Sequence, residues 1–194
     1  MEREKYRSVL RQKRVGIAGA GGLGSNCAVS LARAGVGSLV IVDFDSVAAP
    51  NLDRQAYFLD QIGLPKVKAL ADNIRRIDPG IQVDARILRL APDNIAEVFS
   101  GCDLLIEALD DAQAKAMLLE SALALWPKRW LVAASGLAGI GDFNGLKMLK
   151  HGNLVICGDF RQEVSESLPP VAPRVSIVAN MEADAALEIL LGGA

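Results

Sequence analysis

A glycine-rich turn is the feature that most constrains what this sequence folds into. The run Val15 to Ala18 is apolar, short and bounded by glycine, which is typical of a buried strand. A G-x-G-x-x-G turn follows at 19–24, and an alanine-rich helical pattern continues from Leu23 to Arg33. Such glycines let a nucleotide approach the backbone, and the first N–H groups of the helix bind anions. The candidate nucleotide-binding glycines are Gly19, Gly21, Gly22 and Gly24.

An acidic residue stands where a ribose-binding group is expected. The continuous apolar run at 38–45 is typical of a parallel strand that is covered on both faces. Asp43 lies 19 residues after Gly24, and the ribose-binding acid of a dinucleotide fold is expected about 20 residues beyond the turn. Turn and acid together predict a nucleotide site. The alternative is a glycine-rich turn that serves packing alone.

Strand and helix patterns alternate along the first two thirds of the chain. Further strands are predicted at 81–88, 102–111 and 130–136, and helices at 65–78, after Pro92 and at 112–125. This alternation predicts an α/β, Rossmann-like fold, with a mostly parallel twisted sheet and helices on both faces.

The pattern changes after Gly136. A strand pair is predicted at 143–150 and 153–157, a mobile or crossing loop at 159–173, and a closing helix at 175–191. We therefore expect one domain, 1–194, with a nucleotide-binding part at about 14–136 and a short antiparallel C-terminal extension at 137–194.

Composition limits the classes of partner. The chain has 194 residues, 51% of them hydrophobic, and a net charge of −2, so a broad surface for nucleic acid or anionic membrane is not expected. The charged N-terminus does not resemble a secretory signal, and no apolar run is long enough to span a membrane. Three widely spaced cysteines fit a reducing cytoplasm better than a disulfide framework.

The loop 46–64 is long, polar and rich in turn residues, and loops of this kind are usually functional. It contains Asn51, Arg54 and Gln55, and Lys66 opens the next helical pattern. Two cations beside a nucleotide suit the negative oxygens of a triphosphate, for which a hydride donor has no need. The alternative is that Arg54 and Lys66 are ordinary surface charges.

A second acid follows the fourth predicted strand. Asp110 is expected at the same edge of the sheet as Asp43, where ligands of open parallel sheets bind. One carboxylate together with nucleotide phosphates is a usual ligand set for Mg²⁺. The neighbouring Asp111 reads as a helix cap, and the alternative is that both acids are caps.

These motifs together resemble the ThiF/MoeB/HesA superfamily, bacterial relatives of the ubiquitin-activating enzymes. The resemblance rests on GAGGLGSN, DFDSVAAPNLDRQ, GLPKVKAL and the aspartate of EALDD, over roughly 14–136, and the ending PRVSIVANMEADAALEILLG resembles the closing helix of the family. The short chain is similar to compact ThiF proteins of the thiamine-biosynthesis family-two type.

The resemblance implies adenylation. In this family ATP is attacked at its α-phosphate by the C-terminal Gly-Gly carboxylate of a ubiquitin-like sulfur carrier, here a ThiS-like one. It further implies that Asp43 binds the ribose, that Asp45, Asn51, Arg54, Gln55 and Lys66 complete the nucleotide site, and that Asp110 holds Mg²⁺. The catalytic set would be Arg54, Lys66, Asp110 and an N-terminal arginine supplied by the partner subunit of a homodimer. Arg3, Arg7 and Arg11 are the candidates, with Arg7 preferred.

The sequence also departs from larger relatives. It has no C-x-x-C pair, so no zinc is expected. Relatives that relay sulfur use a cysteine in a crossover loop, for which Cys157 is the nearest candidate. A free cysteine is more often a small buried apolar residue than a nucleophile. We expect Cys27 and Cys102 to be buried structural residues of this kind.

Alternatives to a sulfur-carrier enzyme remain open at this point. An NAD-dependent oxidoreductase explains the glycine turn and Asp43 but leaves Arg54, Lys66 and Asp110 without a role. A related enzyme could adenylate a molybdopterin-type carrier, a small molecule or tRNA, although the net charge of −2 disfavours tRNA. A non-catalytic subunit is disfavoured because the motif set is complete.

Overall fold

A computed structural model describes residues 3–162 and 164–193 of the chain. The helices are α1 (Arg3–Leu10), α2 (Gly22–Ala34), α3 (Lys66–Ile77), α4 (Ile95–Phe99), α5 (Ala112–Leu125) and α6 (Ala172–Leu190). The strands are β1 (Arg14–Ala18), β2 (Ser38–Asp43), β3 (Gln82–Ile87), β4 (Leu104–Glu107), β5 (Trp130–Ala134), β6 (Lys147–His151) and β7 (Leu154–Gly158).

The seven strands form one sheet in the order β3-β2-β1-β4-β5-β7-β6. Six strands are parallel, and β6 pairs antiparallel with β7 at the edge. The predicted Rossmann-like class, with a short antiparallel extension, is confirmed. The strand order reverses between β1 and β4, and ligands of such sheets bind at the carboxyl ends of the strands at this point.

Helices cover both faces of the sheet, as predicted. On one face α2 packs over β1 and α6 packs over β5 and β7, with Ile17, Leu31 and Val178 fully buried in the same core. On the other face Phe99 of α4 and Leu118 of α5 are fully buried in a second cluster. Burial on both faces accounts for the continuous apolar character of the central strands.

Several boundaries differ from the prediction because polar groups end the elements earlier. β2 ends at Asp43 rather than at 45, since the Asp43 carboxylate accepts the N–H of Asp45 and turns the chain. β4 is confined to 104–107 because Glu107 accepts the N–H of Leu109. The first strand of the extension begins at Lys147, after a 3₁₀ turn at Phe143–Gly145.

A buried ion pair organises the C-terminal extension. Arg174 of α6, with a side chain only 1% exposed, pairs with Asp159 after β7 and donates to the carbonyl of Gly141. The loop after β7 also crosses the loop after β5, where the Gly139 N–H lies 3.0 Å from the Pro169 oxygen. In the residues described, the predicted loop is therefore a crossing loop tied to its neighbour. It is shorter than the predicted 159–173, because α6 begins at Ala172 with a proline in its first turn.

None of the helices in the described part of the chain combines the length and apolarity that crossing a bilayer takes.

Glu182 is a carboxyl group enclosed by the core. It lies on α6 with no exposed surface, and neither carboxyl oxygen has a hydrogen-bond partner within the described ranges. Burial raises the pKa of Glu182 well above its ordinary value of 4.5, and the nearby negative charge of Glu107 raises it further. Its surroundings thus favour the neutral form of the Glu182 carboxyl.

The pKa shift of Glu182 predicts a stability that falls as the pH rises. Below its ordinary pKa the side chain is protonated in both states, whereas between that pKa and the raised pKa of the folded state only the unfolded chain ionises. Wild-type unfolding free energy should therefore fall relative to Glu182→Gln by up to about 1.4 kcal/mol per pH unit above that value. Urea unfolding of both proteins between pH 5 and 8 measures this, and two parallel pH profiles would contradict the prediction.

Candidate functional site

The glycine turn lies at the carboxyl edge of the sheet, where the strand order reverses. The N–H of Gly19 lies 2.8 Å from the carbonyl oxygen of Val42, and the N–H of Ala20 lies 2.7 Å from a carboxylate oxygen of Asp43. The other oxygen of Asp43 accepts the N–H of Asp45 at 2.8 Å. Asp43 therefore joins the turn to the end of β2, and each oxygen keeps a lone pair for a ligand.

The four glycines of the turn have different roles. A Cβ on Gly19, at φ +100°, would lie 2.4 Å from the carbonyl oxygen of Ala108, and one on Gly24 would lie 2.0 Å from the oxygen of Gly19. A Cβ on Gly22 would meet Val175 at 2.9 Å. At Gly21 the nearest atom would be 3.9 Å away. Packing within the protein thus requires glycine at 19 and 24, whereas position 21 faces open space.

Side chains that the sequence analysis did not single out fasten the loop 51–57 to the turn. The Asn26 amide donates to the carbonyls of Gly22 (2.7 Å) and Arg54 (2.9 Å), and the Ser25 hydroxyl accepts the N–H of Ala56 at 3.0 Å. The buried hydroxyl of Tyr57 donates to the Ala20 carbonyl at 2.7 Å.

These three residues carry little signal in the sequence. Serine and asparagine near the start of a helix are typical of ordinary helix or cap positions, and a tyrosine in a loop is typical of a side chain that only packs. In the fold, burial raises the pKa of Tyr57, and the negative charge of Asp43 raises it further. Tyr57 therefore remains a hydrogen-bond donor at any physiological pH.

Asn51 and Gln55 differ in whether their side-chain oxygens find hydrogen-bond partners within the protein. Asn51 accepts the N–H of Ala48 at 3.0 Å and so shapes the first turn of the loop. The side chain of Gln55 faces the turn beside Gly21. Its side-chain oxygen, Oε1, is buried and has no hydrogen-bond partner among the residues described. Because buried polar atoms are generally hydrogen-bonded, this oxygen fits a site that is completed by a ligand.

The two predicted phosphate-binding cations are paired with acids. Arg54 lies 2.6 Å from Asp53, and its side chain packs beside Gly22 at the start of α2. Lys66, the first residue of α3, is 8% exposed and lies 2.8 Å from Asp45. Asp45 is half exposed and Asp53 is more exposed still, so each cation is held by an acid that is open to solvent.

The β4–α5 turn carries Asp110 and Asp111. Asp111 caps α5 by accepting the N–H of Ala114 at 2.8 Å, as predicted. Asp110 is exposed and its carboxylate has no hydrogen bond within 3–162 and 164–193. The turn abuts the glycine turn, since a Cβ on Gly19 would lie 3.3 Å from the N–H nitrogen of Leu109.

The donor set fits a cation that is shared with phosphates. The described residues contain no cluster of three or more His, Cys, Asp or Glu side chains able to hold a metal. A single open carboxylate, Asp110, suits Mg²⁺, which commonly takes one or two carboxylates and completes its shell with phosphate oxygens and water.

Two of the N-terminal arginines, Arg7 and Arg11, lie away from the crevice of their own chain. Arg7 contacts Gly35, at the far end of α2 from the glycine turn, which is about 20 Å away for a 13-residue helix. Arg11 lies 2.9 Å from Asp78 at the same end. The side chain of Arg3 lies outside the described residues.

The thiol of Cys157 is enclosed in the core. It lies on β7 without exposed surface, and burial, with a contribution from Glu182, raises its pKa to about 12. Cys27 and Cys102 are also buried. A protonated, enclosed thiol is a poor nucleophile, so the geometry disfavours the sulfur-relay role considered for Cys157.

Comparison with known proteins places these motifs in context. The ThiF family model matches residues 2–194. The adenylyltransferase and sulfurtransferase UBA4 of Yarrowia lipolytica is 36% identical over 59% of this chain and 29% of its own length. The probable adenylyltransferase/sulfurtransferase MoeZ of Mycobacterium tuberculosis is 39% identical over 62% of this chain and 31% of its own length. The chain therefore spans about a third of the length of these curated relatives.

Solved structures share the fold. The tRNA N6-threonylcarbamoyladenosine dehydratase TcdA of Escherichia coli, in complex with ATP, superposes with a TM-score of 0.87 at 24% identity, over 97% of this chain and 89% of that one. The MccB structure of E. coli with ATP has a TM-score of 0.76 at 18% identity, over 97% of this chain and 58% of that one.

The open space at Gly21 makes it a selective test of the nucleotide site. Gly21→Val should keep the fold, because no protein atom lies within 3.9 Å of the added Cβ, but should block ATP sterically. Calorimetric ATP titration and thermal unfolding measure the two effects. Gly24→Ala is the contrasting variant, expected to lose stability because of its 2.0 Å backbone clash. ATP binding of wild-type strength by Gly21→Val would show that the turn is only structural.

The buried thiols predict a protein that resists alkylation. In the folded state all three cysteines should react with iodoacetamide at pH 8 far more slowly than free cysteine, because none is accessible and Cys157 is protonated. Mass spectrometry after timed labelling measures this, with urea-unfolded protein as the control. Rapid labelling of Cys157 in the folded protein would restore it as a candidate nucleophile.

Proposed function

This chain belongs to the ThiF family, and we propose on that premise that it is an ATP-dependent adenylyltransferase acting on a carboxylate. The observation that carries the proposal is the placement of two cations, Arg54 and Lys66, at the same crevice as an open carboxylate, Asp110. A hydride-transfer enzyme needs none of the three. Two relatives that share more than a third of their aligned residues with this chain, UBA4 and MoeZ, are named adenylyltransferases.

In this proposal the nucleotide occupies the crevice between the glycine turn and the loop 51–57. Asp43 accepts the ribose hydroxyls, and Gly21 leaves room for the phosphates at the N-terminus of α2. The phosphate oxygens draw Arg54 from Asp53 and Lys66 from Asp45. The acid of each pair is about half exposed or more, and ion pairs that are open to water on one side are weak enough to be exchanged for a polyanion.

The proposed reaction forms an acyl-adenylate. A carboxylate oxygen of the substrate attacks the α-phosphorus of ATP, the bond from that phosphorus to the bridging oxygen breaks, and pyrophosphate leaves. Arg54 and Lys66 neutralise the charge that accumulates on the leaving group. Asp110 would hold Mg²⁺, which supplies charge neutralisation and orients the phosphates when bound.

The proposed substrate is a ubiquitin-like sulfur carrier that ends in Gly-Gly, most simply a ThiS-like carrier of thiamine biosynthesis. UBA4 and MoeZ carry both adenylyltransferase and sulfurtransferase in their names, and a further relative is named for activating a SAMP protein. The C-terminal extension offers a docking surface, because Ile140 and Phe143 are exposed on the loop that leaves the end of β5. The three unpaired cysteines suit a cytoplasmic reaction.

A second copy of the chain completes the site in this proposal. Arg7 lies at the far end of α2 from its own crevice, so any contribution to phosphate binding has to be made in the crevice of a partner. We propose a homodimer for this reason.

A second substrate class is favoured by one observation. The TcdA structures of E. coli, named for tRNA N6-threonylcarbamoyladenosine, cover 96–97% of this chain. The net charge of −2 offers little attraction for tRNA, so the protein carrier remains the first choice.

Carrier-dependent exchange of radioactive pyrophosphate into ATP tests the proposal. Exchange should require Mg²⁺, the protein and a carrier that ends in Gly-Gly, and should disappear when the last glycine is deleted. Exchange that depends on tRNA instead would support the second substrate class. The absence of exchange with every carrier and with tRNA would contradict the proposed activity.

Asp110→Ala should abolish exchange with the fold unchanged, because Asp110 is exposed and makes no hydrogen bond within the described ranges. We expect a loss of about 10³-fold or more, at the upper end of what is seen for removal of one charge-stabilising group. Asp184→Ala, which removes an exposed carboxylate on α6, is the matched control and should keep full activity. A rate near that of wild type for the Asp110 variant would exclude the mechanism.

A further inference from the structure

An ion pair beneath the crevice has no role in the reaction as described so far. Glu107, the last residue of β4, is 1% exposed, and its carboxylate pairs with the ammonium group of Lys115 on α5. The Lys115 side chain is 28% exposed. Enclosing such a pair removes hydration from both charges, and apolar side chains of similar volume often serve stability as well or better. Stability alone is therefore a weak explanation for the pair.

The further hydrogen bonds of the pair indicate what it does. The second carboxylate oxygen of Glu107 accepts the N–H of Leu109 at 2.8 Å, and the Lys115 ammonium donates to the Ala134 carbonyl at 3.2 Å. The pair thus connects the end of β4, the turn that follows it and the end of β5. The end of β4 and its turn adjoin the glycine turn, since a Cβ on Gly19 would lie 2.4 Å from the carbonyl oxygen of Ala108.

Asp110 is the residue whose orientation depends on these connections. On its N-terminal side the backbone of Leu109 is held by Glu107, and on its C-terminal side Asp111 is held by the cap of α5. Its own carboxylate stays exposed and makes no hydrogen bond in the part of the chain described. A carboxylate that is fixed through its neighbours, and left open itself, is prepared for a ligand.

We propose that Glu107 and Lys115 are positioning residues, which orient the turn bearing Asp110 toward a cation bound to the nucleotide phosphates. The proposal rests on the proposed function. It assigns the pair an effect on cation-dependent nucleotide binding, whereas a merely structural pair would affect binding with and without the cation alike. Outer residues that orient a metal ligand typically change metal affinity by about 10- to 100-fold when replaced.

The decisive variant is Glu107→Met/Lys115→Met. It removes both charges and all three connections but keeps unbranched side chains of similar length, so no unpaired charge is left inside. Lys115→Arg is the conservative variant, because its guanidinium can reach the same two acceptors. Glu182→Gln is the matched control, since it changes a carboxyl group of the same buried region outside these connections.

Calorimetric titration with ATP, in Mg²⁺ and separately in EDTA, measures the effect directly. Wild type should bind ATP more tightly with Mg²⁺, and Asp110→Ala should lose this advantage. The double variant should lose about 10-fold or more of it, with its affinity in EDTA unchanged, while Lys115→Arg and Glu182→Gln retain it. Retention of the full Mg²⁺ advantage by the double variant would overturn the proposal.

The remaining outcomes separate this proposal from the proposed function. Wild type that binds ATP equally with and without Mg²⁺ overturns the positioning role but leaves the nucleotide site intact. Wild type that binds no ATP contradicts the proposed function and this inference with it. If the double variant does not fold, Lys115→Met replaces it, because burial raises the pKa of Glu107 and so allows a neutral carboxyl to remain.

Discussion

The crevice depends on the hydrogen bonds that fasten the loop 51–57 to the glycine turn. Asn26, Ser25 and Tyr57 each bridge the two segments, at distances between 2.7 and 3.0 Å. Without them, the loop that carries Arg54 and Gln55 would be a long surface loop with no fixed relation to the N-terminus of α2. Because these bonds are at least partly shielded from water, the loop that carries Arg54 keeps its place before any ligand arrives, and little ordering entropy remains to oppose binding.

Electrostatics in the crevice follows one pattern, in which each cation is held by an acid close to it. Arg54 pairs with Asp53, Lys66 with Asp45, and Lys115 with Glu107. In the first two pairs the acid is about half exposed or more and can give way to phosphate, whereas in the third the acid, Glu107, is buried and suits a fixed structural connection. The distinction between binding and positioning groups thus follows from the burial of the acid in each pair.

Much of this arrangement could be predicted from the sequence, and the exceptions share a physical cause. The strand–turn–helix unit, the position of Asp43 and the cap role of Asp111 follow from local patterns, which the structure reproduces. The pairing of Lys66 with Asp45, and of Arg174 with Asp159, joins residues distant in the chain, and no local pattern encodes it. The strand order at the C-terminal edge was also not predictable, because the chain passes to the outermost position as β6 before it returns as β7. The part played by Tyr57 follows only from the position of the Ala20 carbonyl.

The central claim is that the crevice is built for a nucleoside triphosphate rather than for a dinucleotide hydride carrier. Parallel calorimetric titrations of the purified protein with Mg·ATP and with NADH test it most directly. The account predicts saturable binding of Mg·ATP and no heat of binding for NADH. Binding of NADH without binding of Mg·ATP would contradict it, because Arg54, Lys66 and Asp110 would then have no triphosphate to bind.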